Sequence, residues 1–216
     1  MGGQIERGHD FGDALYEVAS RPEVRKCLEV GTLHGDGSTW VVAQALARSS
    51  GLLHSIELKE DNYRKAVEFY SGKGMPVELH HGLSLTVADY DGWDEYWAQV
   101  AGTRQERLEP GSYREWFDEE MELARGAERV DVVRDLAARE GWFDLVVLDG
   151  GEFASNAEFR VLQPHIRGWV FMDDTNRGRC IKNALARSWI LASDEWEVVR
   201  DEPEQRNGWI AARKVV

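Results

Sequence analysis

Residues 28–38, LEVGTLHGDGS, run an apolar strand into an acid, then a glycine-rich turn, then the start of a helix. Glycines in such a turn remove Cβ atoms and let a ligand sit against bare backbone at a helix N-terminus, so the first half of the chain is expected to bind a nucleotide-like molecule. The rest of the pattern extends that unit. An amphipathic helix is expected over 11–20, strands over 26–30, 52–57, 77–81, 144–149 and 169–172, and helices over 38–48, 60–71 and near 155–163. Strands alternating with helices predict an α/β fold with a doubly wound, mostly parallel sheet. The end of the chain differs: WEVVR at 196–200 and GWIAARKV at 208–215 are separated by a turn-rich break with no helix. They bring the expected strands to seven and should form an antiparallel hairpin at the sheet edge.

The glycine spacing bears on the ligand. A dinucleotide fingerprint reads G-x-G-x-x-G, whereas Gly31, Gly35 and Gly37 read G-x-x-x-G-x-G and follow Glu29. An acid at that position repels a pyrophosphate and suits a cationic amino or sulfonium group. The second strand, LLHSIEL at 52–58, carries Glu57 where an acid accepts hydrogen bonds from both hydroxyls of a ribose.

With these motifs the chain resembles the class I S-adenosylmethionine-dependent methyltransferases, most closely the small O-methyltransferases of the macrocin and catechol type. The resemblance spans roughly residues 24–214, with its motifs in family order. Glu29, Val30, Gly31 and Thr32 match the opening of the cofactor loop, Glu57 the ribose position, and Gly82, Leu83 and Ser84 the segment that touches adenine. FDLVVLDGGE at 143–152 matches the fourth strand, with Asp149 at its end, and WVFMDDTN at 169–176 the fifth, ending in Asp173 and Asp174. Gly35 belongs to the same loop; an extra residue near Asp36 leaves Gly37 and Ser38 as alternative contacts for the methionine portion.

Strands four and five should be neighbours, which would bring Asp149, Asp173 and Asp174 together. Like charges that close are costly unless one is protonated or a hard cation is bound. The resemblance implies the cation, magnesium or a similar ion, with all three aspartates as ligands and an acceptor hydroxyl activated on it. Asp149 would also take part in cofactor binding and catalysis. Where the relatives place a Lys or His base this chain has Glu152, whose readings are base, metal ligand or substrate acceptor. The implied activity is O-methylation of a small hydroxylated molecule such as a sugar or glycosylated natural product. Alternatives are N-methylation or another transfer from the same cofactor, a nicotinamide oxidoreductase, and a non-catalytic cofactor-binding module.

Residues 89–122 are the least generic segment, with eleven acids against three arginines and the aromatics Tyr90, Trp93, Tyr96, Trp97, Tyr113, Trp116 and Phe117. An insertion there leaves the ligand-binding end of the sheet and reads as a lid or substrate wall, the alternative being a self-burying elaboration or a dimer contact. At 216 residues and 43% hydrophobic content, residues 1–216 should form one domain around one core. A net charge of −13 disfavours nucleic acid, leaving a small-molecule acceptor as the expected partner, with a homo-oligomer open. No apolar run suggests a membrane partner and no leader a secretory signal, so a cytoplasmic protein is expected. Cys27 and Cys180 are too few for a disulfide framework or zinc cluster.

Overall fold

The computed structural model describes residues 5–100, 110–176 and 180–215. Its strands are β1 (Lys26–Val30), β2 (Leu52–Glu57), β3 (Val77–His81), β4 (Phe143–Leu148), β5 (Ile166–Asp173), β6 (Trp196–Glu202) and β7 (Trp209–Lys214). They form one sheet in the order β3-β2-β1-β4-β5-β7-β6. Pairs from β3 through β5 are parallel, while β7 runs antiparallel to both β5 and β6. The doubly wound sheet and the terminal hairpin expected from sequence are both present.

Two apolar faces follow from the period of two. Leu28 and Val30 of β1, Val146 and Leu148 of β4, and Val170 and Met172 of β5 enter one core, whereas Cys27, Leu145, Val147, Trp169 and Phe171 enter the other. Helices α1 (Asp10–Ala19) and α2 (Ser38–Leu46) cover the second face with Phe11, Leu15, Val41, Val42 and Leu46. Phe11 sets its ring edge-on to Phe171 and Trp209 at 5.7 and 5.2 Å. α3 (Glu60–Tyr70) lies beside α2, with Phe69 edge-on to Trp40 at 5.4 Å.

The first face is covered by α6 (Val132–Glu140), α7 (Ser155–Leu162) and α8 (Ala184–Ala192), through Val132, Val133, Leu136, Phe159 and Ile190. Of these, α6 and α8 were not anticipated from sequence. Between β3 and α6 lie α4 (Trp93–Val100) and α5 (Pro110–Arg125). His80 of β3 packs against His54 of β2 with ring nitrogens 3.2 Å apart. Burial holds both imidazoles below their usual range, His80 down to about 4.

The chain steps from β1 outward to β3 and then crosses back to β4. Neighbouring strands β1 and β4 therefore send their connections to opposite faces, and a crevice opens beyond their carboxyl ends. The candidate site lies there.

Candidate active site

A cavity of about 520 Å³ occupies the crevice, lined on one side by Gly31, Glu57, Gly82, Leu83 and Ser84 and on the other by Asp149, Glu152, Asp173, Asp174 and Lys182. Glu57 closes β2 and is buried. Its Oε2 accepts the Leu33 N–H at 2.8 Å and its Oε1 the Lys59 N–H at 2.9 Å, so the glycine-rich loop and the start of α3 fix the carboxylate. Desolvation raises its pKa against the pull of those amides.

Glu29, Thr32, Gly35, Gly37 and Ser38 do not line this cavity. Glu29 is 0% exposed: its Oε2 accepts hydroxyls from Thr39 and Ser55, both at 2.6 Å, which ties β1 to β2 and α2. Burial pushes it up to about 7 despite those bonds. Thr32 shares Ser55 at 2.6 Å, and Gly37 precedes Ser38, the first residue of α2. The glycines also serve the scaffold. At Gly31, with φ +102°, a Cβ would stand 2.2 Å from the Asp149 carbonyl oxygen; at Gly35, φ +80°, it would stand 2.7 Å from the Tyr70 ring. Bare backbone is needed there for strand and helix to approach, whether or not a ligand follows.

Two carboxylates unforeseen from sequence enter the wall. Glu158 of α7 is fully buried, accepts the Ser84 hydroxyl at 2.5 Å through Oε1, and keeps Oε2 without a partner among the described residues. Desolvation pushes it up to about 7. Glu120 of α5 accepts the backbone N–H groups of Glu152, Phe153 and Ala154 at 2.8, 3.0 and 3.2 Å, clasping the loop that leads into α7. Through it, residues 110–125 dock onto the loop after β4.

The insertion's aromatics divide. Trp116, 40% exposed, lines the cavity and meets Phe153 edge-on at 5.8 Å. Trp93 and Trp97 stack on each other at 5.2 Å beside Phe117 and Tyr113, in an apolar cluster that also holds Tyr96, Met121, Phe153 and Ile181. Residues 101–109 of the segment lie outside the described residues.

The three aspartates do converge: one carboxylate oxygen from each of Asp149, Asp173 and Asp174 lies within 4.8 Å of the others. Asp149 follows β4, Asp173 ends β5, and Asp174 sits at φ +55°, a left-handed turn that redirects its side chain toward its neighbours. It does not cap α8, whose N-cap is Asn183. Sequence reasoning also missed Lys182. Its Nζ donates to Asp149 Oδ1 at 2.6 Å and to Asp174 Oδ2 at 3.2 Å. Arg206 donates to Asp173 Oδ2 at 2.9 Å, and Asn207 Nδ2 to Asp174 Oδ1 at 2.9 Å. The Asn183 side chain bonds the carbonyls of Leu148 and Asp173 at 3.1 and 2.7 Å, which pins Lys182 between the ends of β4 and β5.

The charges respond accordingly. Desolvation lowers the Lys182 pKa, but Asp149 and Asp174 outweigh it and the ammonium is held above its usual range. Asp173 is pushed up by desolvation and by Asp149 and Asp174, against Arg206. Glu152 is pushed up to about 7, chiefly by desolvation, with Lys182 opposing. Three carboxylates are a donor set for a hard divalent ion, yet the Lys182 ammonium, bonded to two of them, would repel such an ion. The carboxylates therefore fit a divalent ion only with Lys182 withdrawn, and Lys182 is only 7% exposed.

No protein-family model matches the chain, and none of the curated proteins matches it. Solved structures do. The O-methyltransferase TomG of Streptomyces achromogenes, involved in tomaymycin synthesis and solved with S-adenosylmethionine, is 16% identical over 95% of this chain and 79% of its own, with a TM-score of 0.56. An O-methyltransferase of Bacillus cereus, solved with S-adenosylhomocysteine, is 18% identical over 94% and 80%, with a TM-score of 0.55. The methyltransferase PaMTH1 of Podospora anserina, also bound to S-adenosylhomocysteine, is 14% identical over 95% and 78%, with a TM-score of 0.56. The likeness is one of architecture: this chain has the Rossmann-like fold of the S-adenosylmethionine-dependent methyltransferases.

Proposed function

We propose that the protein transfers a methyl group from S-adenosylmethionine to a hydroxyl of a small acceptor. One observation carries the reading: a single cavity joins Glu57, at the end of β2, to Glu152 and the Asp149–Lys182 cluster at the ends of β4 and β5. An acid placed for a ribose and a proton acceptor thus share one cavity. The residues suit the cofactor. Glu57 presents a carboxylate to a diol, and the buried Glu158 Oε2, beside Ser84, lacks the donor that an exocyclic amine would supply.

The bound cofactor would supply an electrophilic methyl on a sulfonium. Glu57 and Glu158 would hold that cofactor, and the Glu152 carboxylate would take the proton that the acceptor hydroxyl gives up on methylation. Burial suits Glu152 to this task, since a carboxylate pushed up to about 7 is a better proton acceptor than an exposed one. Trp116 and Glu119, on the outer wall, would meet the acceptor. Glu119 and Glu120 in that wall favour a second reading, an amine acceptor.

Calorimetry with S-adenosylmethionine, S-adenosylhomocysteine and NAD tests the cofactor, and a trideuteromethyl cofactor offered with a set of phenols, sugars and amines tests the reaction. Binding of the first two ligands and a labelled methyl ether in the products are expected. Preferential binding of NAD would reject the reading, and a labelled amine would replace it with the second.

A further inference from the structure

We propose that Lys182 is the resident cation of this site: bridging Asp149 and Asp174, its ammonium takes the place of a divalent ion, holds the acceptor oxygen, and leaves the protein with no metal requirement. For its reaction the proposal rests on the methyltransferase reading, whereas the cation arrangement stands on contacts alone.

Each aspartate of the cluster already has a donor. Lys182 holds Asp149 and Asp174, Arg206 holds Asp173, and Asn207 takes the second oxygen of Asp174. Three carboxylates thus face two cations, and a divalent ion would add to them; of the two, Lys182 is the one held inside. Lys182 is buried, with Cys180 and Ile181 buried before it, and the Asn183 amide locks the next residue to two strand-end carbonyls. A surface lysine could swing into water; this one would first have to break that lock.

The geometry also equips Lys182 for the acceptor. An ammonium has three N–H donors, and two are spent on Asp149 and Asp174. Among the described residues no partner takes the third, and Lys182 lines the cavity together with Glu152. A fixed ammonium beside the proton acceptor can donate to the acceptor oxygen and favour its developing negative charge, as a metal would, without gaining or losing a proton. Two carboxylates keep it charged and aimed. Lys182 would then be a catalytic residue, and Asp149 and Asp174 would act through it as positioning residues.

The test uses Mn2+ as probe, followed by electron paramagnetic resonance and calorimetry on the full chain. Wild type and Lys182→Arg are expected to bind no Mn2+ at this cluster. Lys182→Ala, which leaves the carboxylates without their ammonium, should acquire one equivalent with affinity on the order of a hundredfold or more above wild type. Asp173→Asn assigns any bound ion to the cluster, separating it from other carboxylates and from His54, Glu78 and His80. An equivalent of Mn2+ in wild type that Asp173→Asn removes would overturn the proposal, as would a folded Lys182→Ala that gains no ion. Should Lys182→Ala not fold, wild type against Asp173→Asn still decides: no ion lost supports the proposal, one equivalent lost ends it. S-adenosylmethionine titrated into the same wild-type samples keeps the two readings apart. Failure to bind it would sink the methyltransferase reading and leave the Mn2+ result standing.

Discussion

At the scale of single residues, some of the positions that line the cavity carry a strong local signal and others carry none. Glu57 and Asp149 each close or follow an apolar run, and a side chain at the carboxyl end of a parallel strand reaches the crevice by geometry alone. Lys182 carried no such signal. It stands before an apolar helix, where a lysine reads as a solvated first-turn residue, and only the fold brings it to Asp149, 33 positions earlier in sequence. Glu29 shows how local signal and packing can overlap: an acid beside a glycine turn suggests a ligand contact, and here its Oε2 also accepts hydroxyls from Thr39 and Ser55. Two outcomes follow from the charged groups. Glu57→Ala should weaken S-adenosylmethionine binding by about 2 to 4 kcal/mol, because a two-point bond to a charged acceptor is lost. Calorimetry showing equal affinity would remove Glu57 from the site. Glu152→Gln should lower turnover by about 10²- to 10⁴-fold on an acceptor found by screening. Wild-type turnover should rise as pH passes about 7, where Glu152 ionises. A pH-independent rate, or an unimpaired variant, would give the proton to another group.

Among the elements, the alternation of strands and helices was readable because β4 and β5 carry long apolar runs and the other strands short ones between helical patterns, and the hairpin because no helical period lies between its strands. α6 was not, since VVRDLAARE shows its apolar face only once β4 is there to receive it. For the insertion, composition announced aromatics without saying which of them face a ligand. Trp93 and Trp97 fill an apolar cluster, while Trp116 reaches the cavity, so the two sorts should respond differently to truncation. Trp116→Ala should keep the fold and cofactor affinity yet depress acceptor turnover tenfold or more, about 1.4 kcal/mol. Trp93→Ala should instead act on stability. A Trp116→Ala variant with normal turnover would take α5 out of the acceptor wall. Glu120 is what fastens α5 to the loop after β4. Removing its carboxylate leaves three backbone N–H groups without their acceptor, so Glu120→Ala should cost about 2 to 4 kcal/mol. In a chain of this size that is a melting point lower by roughly 4 to 16 °C. A shift under about 2 °C in a thermal melt would mean that water replaces the clasp.

The whole molecule concentrates acids inside as well as on its surface, and this has a consequence for stability that no single site reveals. Glu29, Glu152 and Glu158 are each pushed from 4.5 up to about 7 by burial, and Glu57 and Glu120 are shifted the same way. In the unfolded chain these groups ionise near their ordinary values, so between about pH 4.5 and 7 the folded protein holds protons that the unfolded chain has released. Stability therefore falls as pH rises through that window and levels off above it, where both states are ionised. The net charge of −13 works in the same direction, because protonation relieves self-repulsion. Asp89 opposes: Arg134 bonds it and holds it below its usual range, but the stability it contributes is lost only well below the window. Each fully buried carboxylate contributes at most on the order of 3 kcal/mol to the difference, and bound ligand or water reduces it. The protein should accordingly melt several degrees higher near pH 5.5 than near pH 7.5. Glu158→Gln isolates one share of the effect. The amide cannot ionise, so this variant should gain stability relative to wild type near pH 7.5, lose that advantage near pH 5.5, and flatten the profile between them. Melting curves across this range decide the matter: a melting point that climbs with pH, or a Glu158→Gln profile parallel to that of wild type, would show that these carboxylates are ionised in the folded protein and would withdraw the proton-storing interior.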